Sequence, residues 1–178
     1  YDEIESNAAN DLIITSSTSG ILPSDLQAEM SRPERLIVAP PFNPVYLLPL
    51  VEIVGGKETS QEVIKKACNI FTHIGMFPLH IKKEIPAFIA DRLLESVWRE
   101  ALWLVNDNVA TTEEIDDAIR YGFGLRWAQI GLFETYRLAG GDAGIRHFIS
   151  QFGPCLEWPW THLMDVPDFT EELIDKIS

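Results

Sequence analysis

Short apolar runs rich in β-branched residues occur three times in the first third of the chain, and each ends in residues typical of turns. The runs cover 11–15, 36–39 and 50–54, and they are followed by a Ser/Thr cluster with Gly20, by two prolines and by two glycines. Runs of this length between turn signals are typical of buried strands. A short helix is predicted from Ser24 and a longer one over 61–74. The pattern up to about residue 83 therefore predicts part of an α/β sheet.

The period of the apolar residues changes after Pro86. Helical spacing extends over 88–105, a second helix is predicted over 112–121, and an amphipathic helix is expected from about Thr170. We therefore predict two domains, an α/β part at 1–83 and an α-helical part at 84–178. Because the chain opens on Tyr1 and ends inside a helical pattern, we expect it to be an internal piece of a longer protein, truncated at both ends.

Composition narrows the classes of protein that are possible. The 178 residues are 46% hydrophobic, which excludes a disordered chain, and 14 Lys+Arg against 27 Asp+Glu give a formal charge of -13, which argues against a nucleic-acid partner. The only cysteines, Cys68 and Cys155, lie far apart, so we expect free thiols, no metal site and a cytoplasmic location. The longest apolar run, 44–54, contains two prolines and Glu52 and is too short to span a membrane.

Three segments carry a specific motif: Ser16–Gly20, Ala39–Pro44 and Val51–Gly56. Together they resemble the second half of the 3-hydroxyacyl-CoA dehydrogenase family. Four further stretches are similar to the branch of that family that oxidises carnitine: 44–50, 91–95, 98–104 and 131–137. The resemblance implies the C-terminal part of a doubly wound, Rossmann-type NAD-binding domain, followed by a helical domain that forms a homodimer. It also implies an oxidoreductase that oxidises the 3-hydroxyl of L-carnitine by transferring a hydride from the carbinol carbon to NAD, giving 3-dehydrocarnitine.

The same resemblance assigns roles to five positions. Ser19 corresponds to the family's loop serine, which contacts both substrate and cofactor, and Asn43 to the asparagine beside the nicotinamide. Glu52 corresponds to the carboxylate that orients the base, and Asp91 to the polar position on the first helix of the second domain. The family's general base is a His immediately before Pro-Phe-Asn-Pro, and here that position is Pro40. Proline cannot accept a proton, so we expect Glu52 to be a buried carboxylate without its usual partner.

Two alternatives to carnitine oxidation follow. The first is a 3-hydroxyacyl-CoA dehydrogenase. The second is a catalytically impaired relative that only binds and dimerises because Pro40 replaces the base. None of the four histidines lies at the spacing of the missing base, and we expect them to be surface residues or residues with local hydrogen-bond partners: His73, His80, His147 and His162. The sequence also lacks the G-x-G-x-x-G motif that binds a dinucleotide pyrophosphate, so these residues are expected to hold NAD only in part.

Carnitine carries a trimethylammonium group, which cannot form hydrogen bonds and is recognised by aromatic faces. Five residues of the helical part are candidates to bind the substrate: Trp98, Arg126, Trp127, Phe133 and Tyr136. Either Arg126 or Arg137 is suited to the substrate carboxylate, since a guanidinium can hold it with two parallel hydrogen bonds. The alternative is that the aromatic rings form the core of the helical domain.

Overall fold

The computed structural model describes residues 1–157, 161–163, 168 and 170–177. The chain divides into two compact units, Tyr1–Leu93 and Leu94–Ser178. The helices are α1 (Asp2–Asn7), α2 (Pro23–Gln27), α3 (Gln61–His73), α4 (Ala90–Asn106), α5 (Thr112–Ala118), α6 (Gly124–Ala139), α7 (Gly144–Phe152) and α8 (Glu171–Ile177). The strands are β1 (Ile14–Ser16), β2 (Leu36–Val38), β3 (Leu50–Gly55) and β4 (Phe77–Ile81). No helix among these residues is long and apolar enough to cross a bilayer.

The first unit is built on a four-stranded mixed sheet in the order β1-β2-β3-β4. β1 runs parallel to β2, β3 runs parallel to β4, and the central pair β2–β3 is antiparallel. Side chains alternate between the two faces of each strand, which separates two apolar clusters. On one face, Ile37 and Ile53 pack against Ile64 of α3. On the other face, Val38 and Val54 pack around Phe88, with Leu26 of α2 beside them. The predicted α/β architecture is confirmed.

Several predicted boundaries were wrong. The first strand lies at 14–16 and not at 11–15, because ladder partners begin at the Ile14–Leu36 pair. The sequence pattern missed β4, which contains Pro78 and the exposed His80 and therefore lacks a continuous apolar run. Proline is tolerated there because β4 is an edge strand. α5 ends at Ala118, and the predicted helix to 121 continues as a π-helical segment, Ile119–Phe123, with non-helical angles at Gly122.

The start of the long helix also differs from the prediction. Phe88, expected inside the helix, has a φ of 50°, and Ala87 before it has a φ of 59°, so both lie in the left-handed region. The Phe88 side chain is fully buried against the sheet. The chain therefore turns sharply before α4, which begins only at Ala90.

The second unit is helical, as predicted. Thr111 and Glu114 form a reciprocal capping box at the start of α5. α6 is interrupted at Gly131, where φ is 72°, a conformation that favours glycine. Tyr136 of α6 stacks on Phe148 of α7 with ring centroids 4.7 Å apart. The amphipathic helix expected near Thr170 is α8.

A buried carboxylate fixes α1 to the first unit. Glu5 is 7% exposed and accepts hydrogen bonds from the backbone N–H groups of Ser31 at 2.8 Å and Arg32 at 2.9 Å. The guanidinium of Arg35, itself buried, lies 3.5 Å from Glu5 Oε1. Desolvation raises the pKa of Glu5, but the two backbone hydrogen bonds and Arg35 together hold it below its ordinary value.

The lowered pKa of Glu5 predicts an acid-labile contribution to stability. A group whose pKa is lower in the folded state stabilises the fold above its unfolded pKa, about 4.3 for Glu, and that contribution is lost as the pH falls through the folded pKa. We expect Glu5→Gln to lower the stability at neutral pH and to flatten its pH dependence below about pH 5. Urea unfolding at several pH values measures this. Glu3→Gln, on an exposed carboxylate of the same helix, is the control; equal pH profiles for the two variants would contradict the expectation.

Candidate active site

The register of the β2–β3 pair places residue 40 directly opposite Glu52. Ile37 pairs with Gly55, Val38 with Val54, and Pro41 forms a bridge with Val51. By the same register, the N–H of Glu52 donates to the Pro40 carbonyl at 3.3 Å. Directly opposed side chains in an antiparallel pair have Cβ atoms about 4.5–5.5 Å apart on the same face. An imidazole at position 40 would therefore lie beside the Glu52 carboxylate.

Glu52 itself is 3% exposed and anchors the start of α4. Its Oε1 accepts hydrogen bonds from the backbone N–H groups of Ile89 and Ala90, both at 3.0 Å. These N–H groups belong to the helix end, where backbone donors have no partner within the helix. Glu52 has no imidazole partner at position 40, as expected, but its carboxylate is not unpaired, because the helix N-terminus donates two hydrogen bonds to it. Both bonds are made by Oε1.

Asp91 is the second residue of α4 and follows Ala90, whose N–H is bound to Glu52. Its side chain is half-buried. Ala90, directly before Asp91, is hydrogen-bonded to Glu52, so these hydrogen bonds fix the position of Asp91 relative to β3. The structure thus brings residue 40, Glu52 and the start of Asp91's helix to one face of the sheet.

Ser19 and Asn43 lie in the loops that follow β1 and β2. Because these strands are parallel, both loops leave the sheet at the carboxyl ends of the strands. The Ala39 N–H donates to the Ser16 carbonyl at 2.7 Å and so extends the pairing of the two strands. Ligands of doubly wound sheets bind outside the carboxyl ends of the strands. The half-buried hydroxyl of Ser19 and the exposed amide of Asn43 fit the polar nicotinamide end of NAD. The peptide bond after Asn43 is cis.

The five candidate substrate residues lie in the second unit, and the structure gives them different environments. Trp98 on α4 is 59% exposed and Phe133 on α6 is 73% exposed. Trp127 packs on Phe123 with centroids 4.6 Å apart, and its buried Nε1 has no hydrogen-bond partner among the described residues. The Tyr136 ring is held in the α6–α7 contact described above, as the core alternative expects.

The arginines of α6 also differ from each other. Arg126 is exposed. Arg137 donates from Nε to Glu134 Oε2 at 2.7 Å and from Nη2 to Oε1, and these hydrogen bonds lower the pKa of Glu134. Because Arg137 already holds a carboxylate with two hydrogen bonds, Arg126 is the better candidate of the two for a substrate carboxylate.

The four histidines of the chain share one environment in the structure. His73, His80, His147 and His162 are all exposed, as expected from the sequence. His162 lies in the second unit, where its ring packs against Trp103 with centroids 4.8 Å apart.

Comparisons with known proteins specify the class of protein to which this fold belongs. The model of the 3-hydroxyacyl-CoA dehydrogenase NAD binding domain matches residues 1–85, and that of the family's C-terminal domain matches residues 88–164. The chain belongs to the 3-hydroxyacyl-CoA dehydrogenase family. Its first domain is therefore of the NAD-binding type, and NAD is its cofactor.

Curated relatives are similar over nearly the whole chain. The L-carnitine dehydrogenase of Mesorhizobium japonicum is 62% identical over 177 residues, which are 99% of this chain and 49% of the relative. The L-carnitine dehydrogenase/betainyl-CoA thioesterase of Ruegeria pomeroyi is 62% identical over 178 residues, 37% of that protein. The chain thus spans half or less of the length of these relatives.

Solved structures confirm the fold. The NAD+ dependent 5-formyl-3-hydroxy-2-methylpyridine 4-carboxylic acid 5-dehydrogenase matches 98% of this chain and 55% of its own, with a TM-score of 0.82 and 30% identity. The (S)-3-hydroxybutyryl-CoA dehydrogenase of Ralstonia eutropha matches 85% of this chain and 50% of its own, with a TM-score of 0.62 and 28% identity.

The double hydrogen bond to Glu52 predicts a graded response to substitution. Glu52→Ala leaves two N–H groups without an acceptor and should lower the free energy of unfolding by about 2–3 kcal/mol. Glu52→Gln keeps an oxygen acceptor and should cost only about 1 kcal/mol. Urea unfolding measures both, and hydrogen exchange at Ile89 and Ala90 localises the effect. Glu58→Ala, on an exposed carboxylate after β3, is the control; if Glu52→Ala costs no more than Glu58→Ala, the cap does not stabilise the fold.

Proposed function

We propose that the complete protein containing this chain oxidises the 3-hydroxyl of L-carnitine with NAD as the hydride acceptor. The observation that carries the proposal is the 62% identity to an L-carnitine dehydrogenase across both family domains. The cross-strand placement of residue 40 and Glu52 supports it, since it is the geometry that an acid-oriented histidine base requires.

The proposed roles follow from the positions of the side chains. NAD, when bound, accepts the hydride, and Ser19 and Asn43 are proposed to hold its nicotinamide end, with the Ser19 hydroxyl also contacting the substrate hydroxyl. Position 40 is where the family's base removes the hydroxyl proton, and Glu52 orients that base. Asp91 is proposed to face the substrate from α4. The division into a nucleotide domain at 1–83 and a substrate domain at 84–178 stays a prediction.

Carnitine is proposed to be held by the second unit. The exposed rings of Trp98 and Phe133 offer faces to a trimethylammonium group, and Arg126 offers a guanidinium to the carboxylate. Trp127 and Tyr136 are proposed as further walls of that site. An overall charge of -13 also favours a cationic group over the phosphates of CoA.

The second unit is further proposed to form a homodimer in the cytoplasm. Large apolar side chains are exposed on α6 and α7, among them Leu125, Ile130, Leu138, Ile149 and Phe152. Faces of this kind on a helical domain are typical of protein–protein interfaces. Cys68 and Cys155 are both free thiols, which suits a reducing compartment.

The substrate assignment is tested by comparing two substrates. The complete protein should turn over L-carnitine with NAD in preference to (S)-3-hydroxybutyryl-CoA, because its charge and aromatic residues suit the quaternary ammonium group. NADH formation measured at 340 nm gives kcat/KM for each. A higher kcat/KM for the thioester would assign the protein to the acyl-CoA enzymes of the family.

Pro40 favours a second candidate function, that of a catalytically impaired relative. We expect the unaltered protein to be slow and Pro40→His to raise kcat by at least about 10²-fold, the contribution of a general base. The restored rate should also fall as the pH drops through the pKa of the imidazole, about 6.5 in its unperturbed state. Pro41→His, one residue away and on the other face of the strand, is the control. If Pro40→His leaves kcat unchanged, the base is not at position 40.

A further inference from the structure

We propose that Glu84 is a positioning residue that holds the Ser19 loop in place through α2. Glu84 lies in the segment between β4 and α4, 60 residues after its partner Ser24. The backbone N–H of Ser24 donates to Glu84 Oε2 at 2.9 Å, and the Ser24 hydroxyl donates to Glu84 Oε1. The inference rests on the proposed function in so far as Ser19 belongs to the site.

Two parts of the first unit contact Ser24: the segment of Glu84 and the turn after β3. Besides the two hydrogen bonds to Glu84, Ser24 Oγ accepts a hydrogen bond at 2.9 Å from the N–H of Lys57, in the turn after β3. The Ser24 hydroxyl therefore accepts one hydrogen bond from a backbone N–H and donates another to a carboxylate. A Cβ added at Gly56 would lie 2.8 Å from the Ser24 nitrogen, so the turn approaches α2 as closely as glycine allows. α2 is thus fixed both to β3 and to the segment before α4.

Ser19 lies in the loop between β1 and α2, and both ends of this loop are held by contacts with the rest of the unit. The loop begins after β1, which is paired with β2, and ends at α2, whose second residue is Ser24. Within the loop, only short-range contacts to side chains are seen among the described residues: Thr18 N–H to Ser16 Oγ at 3.4 Å and Gly20 N–H to Thr18 Oγ1 at 3.2 Å. The C-terminal end of the loop therefore depends on the hold on α2.

The segment that carries Glu84 is also held by contacts other than those with Ser24. Phe88 is fully buried between β2, β3 and β4, and the N–H groups of Ile89 and Ala90 are bound to Glu52. Six residues after Glu84 the chain enters α4 at Ala90, and Asp91 follows as the second residue of that helix. Through its hydrogen bonds to Ser24, Glu84 therefore connects the loop of Ser19 to the segment that positions Asp91. The positions of Ser19 and Asp91 thus both depend on the segment between β4 and α4.

The experiment uses the complete protein and hydrogen exchange measured by mass spectrometry. Glu84→Ala should reduce the protection of peptides covering 17–27 about tenfold, since a hydrogen bond to a charged group is lost, with no change in β3 and β4. Glu84→Gln, which keeps an acceptor, should have a smaller effect. Ser24→Ala tests the same contact without leaving an unpaired carboxylate. Glu58→Gln is the matched control.

Kinetic measurements on the Pro40→His protein distinguish a positioning role of Glu84 from a general effect of Glu84 on the stability of the fold. Glu84→Ala should lower kcat about tenfold with little change in the KM for carnitine, because misplacing a reacting group slows the chemical step. In a Ser19→Ala background, Glu84→Ala should produce no further loss of kcat, since both changes act through one residue.

Three outcomes would overturn the inference: unchanged exchange at 17–27, an equal rise in exchange throughout the first unit, or additive losses of kcat in the double variant. If no variant oxidises carnitine, the proposed function fails, and the exchange data still decide whether Glu84 holds the loop.

Discussion

Two hydrogen bonds to one buried oxygen, Glu52 Oε1, determine where α4 begins. A helix end needs acceptors for its first N–H groups, and here the acceptor is a strand side chain. The helix cannot extend back past Ala90 without losing these bonds, so Phe88 is left outside it and fills the space beside Val38 and Val54. One carboxylate therefore links the sheet, its apolar cluster and the position of Asp91.

The same constraint explains why Pro40 is compatible with the fold. A proline at this position removes an N–H from the β2–β3 ladder but keeps a carbonyl, which still accepts the Glu52 N–H. Pro41 and Val51 continue the pairing, and Phe42 N–H donates to the Leu50 carbonyl at 2.9 Å. Since the Glu52 carboxylate is satisfied by the helix end, no buried charge is left unpaired when the imidazole is absent.

The sequence predicted those features that depend on local pattern. The apolar pattern and the capping residues predicted strands at 36–39 and 50–54, where β2 and β3 lie, as well as α3 with its Ser60 cap and the helical second unit. It did not predict β4 or the start of α4, because these depend on strand pairing and on a hydrogen bond across 37 residues. Ser24 and Glu84 are likewise 60 residues apart, and no spacing rule connects them. The motif located position 40 and Glu52, but only the register shows that they are opposite each other.

Glu52 has a structural role that is separate from a catalytic one. Its Oε1 accepts the hydrogen bonds of the helix end while residue 40 is Pro, so these bonds do not require a base. In the catalytic role, the carboxylate would accept an imidazole N–H and so fix the tautomer of a base at position 40. A change at position 40 therefore acts on the rate of proton removal and leaves the positions of α4 and Asp91 unaltered. Glu52 is required by the fold even where no base is present, which accounts for a buried glutamate opposite a proline in this chain.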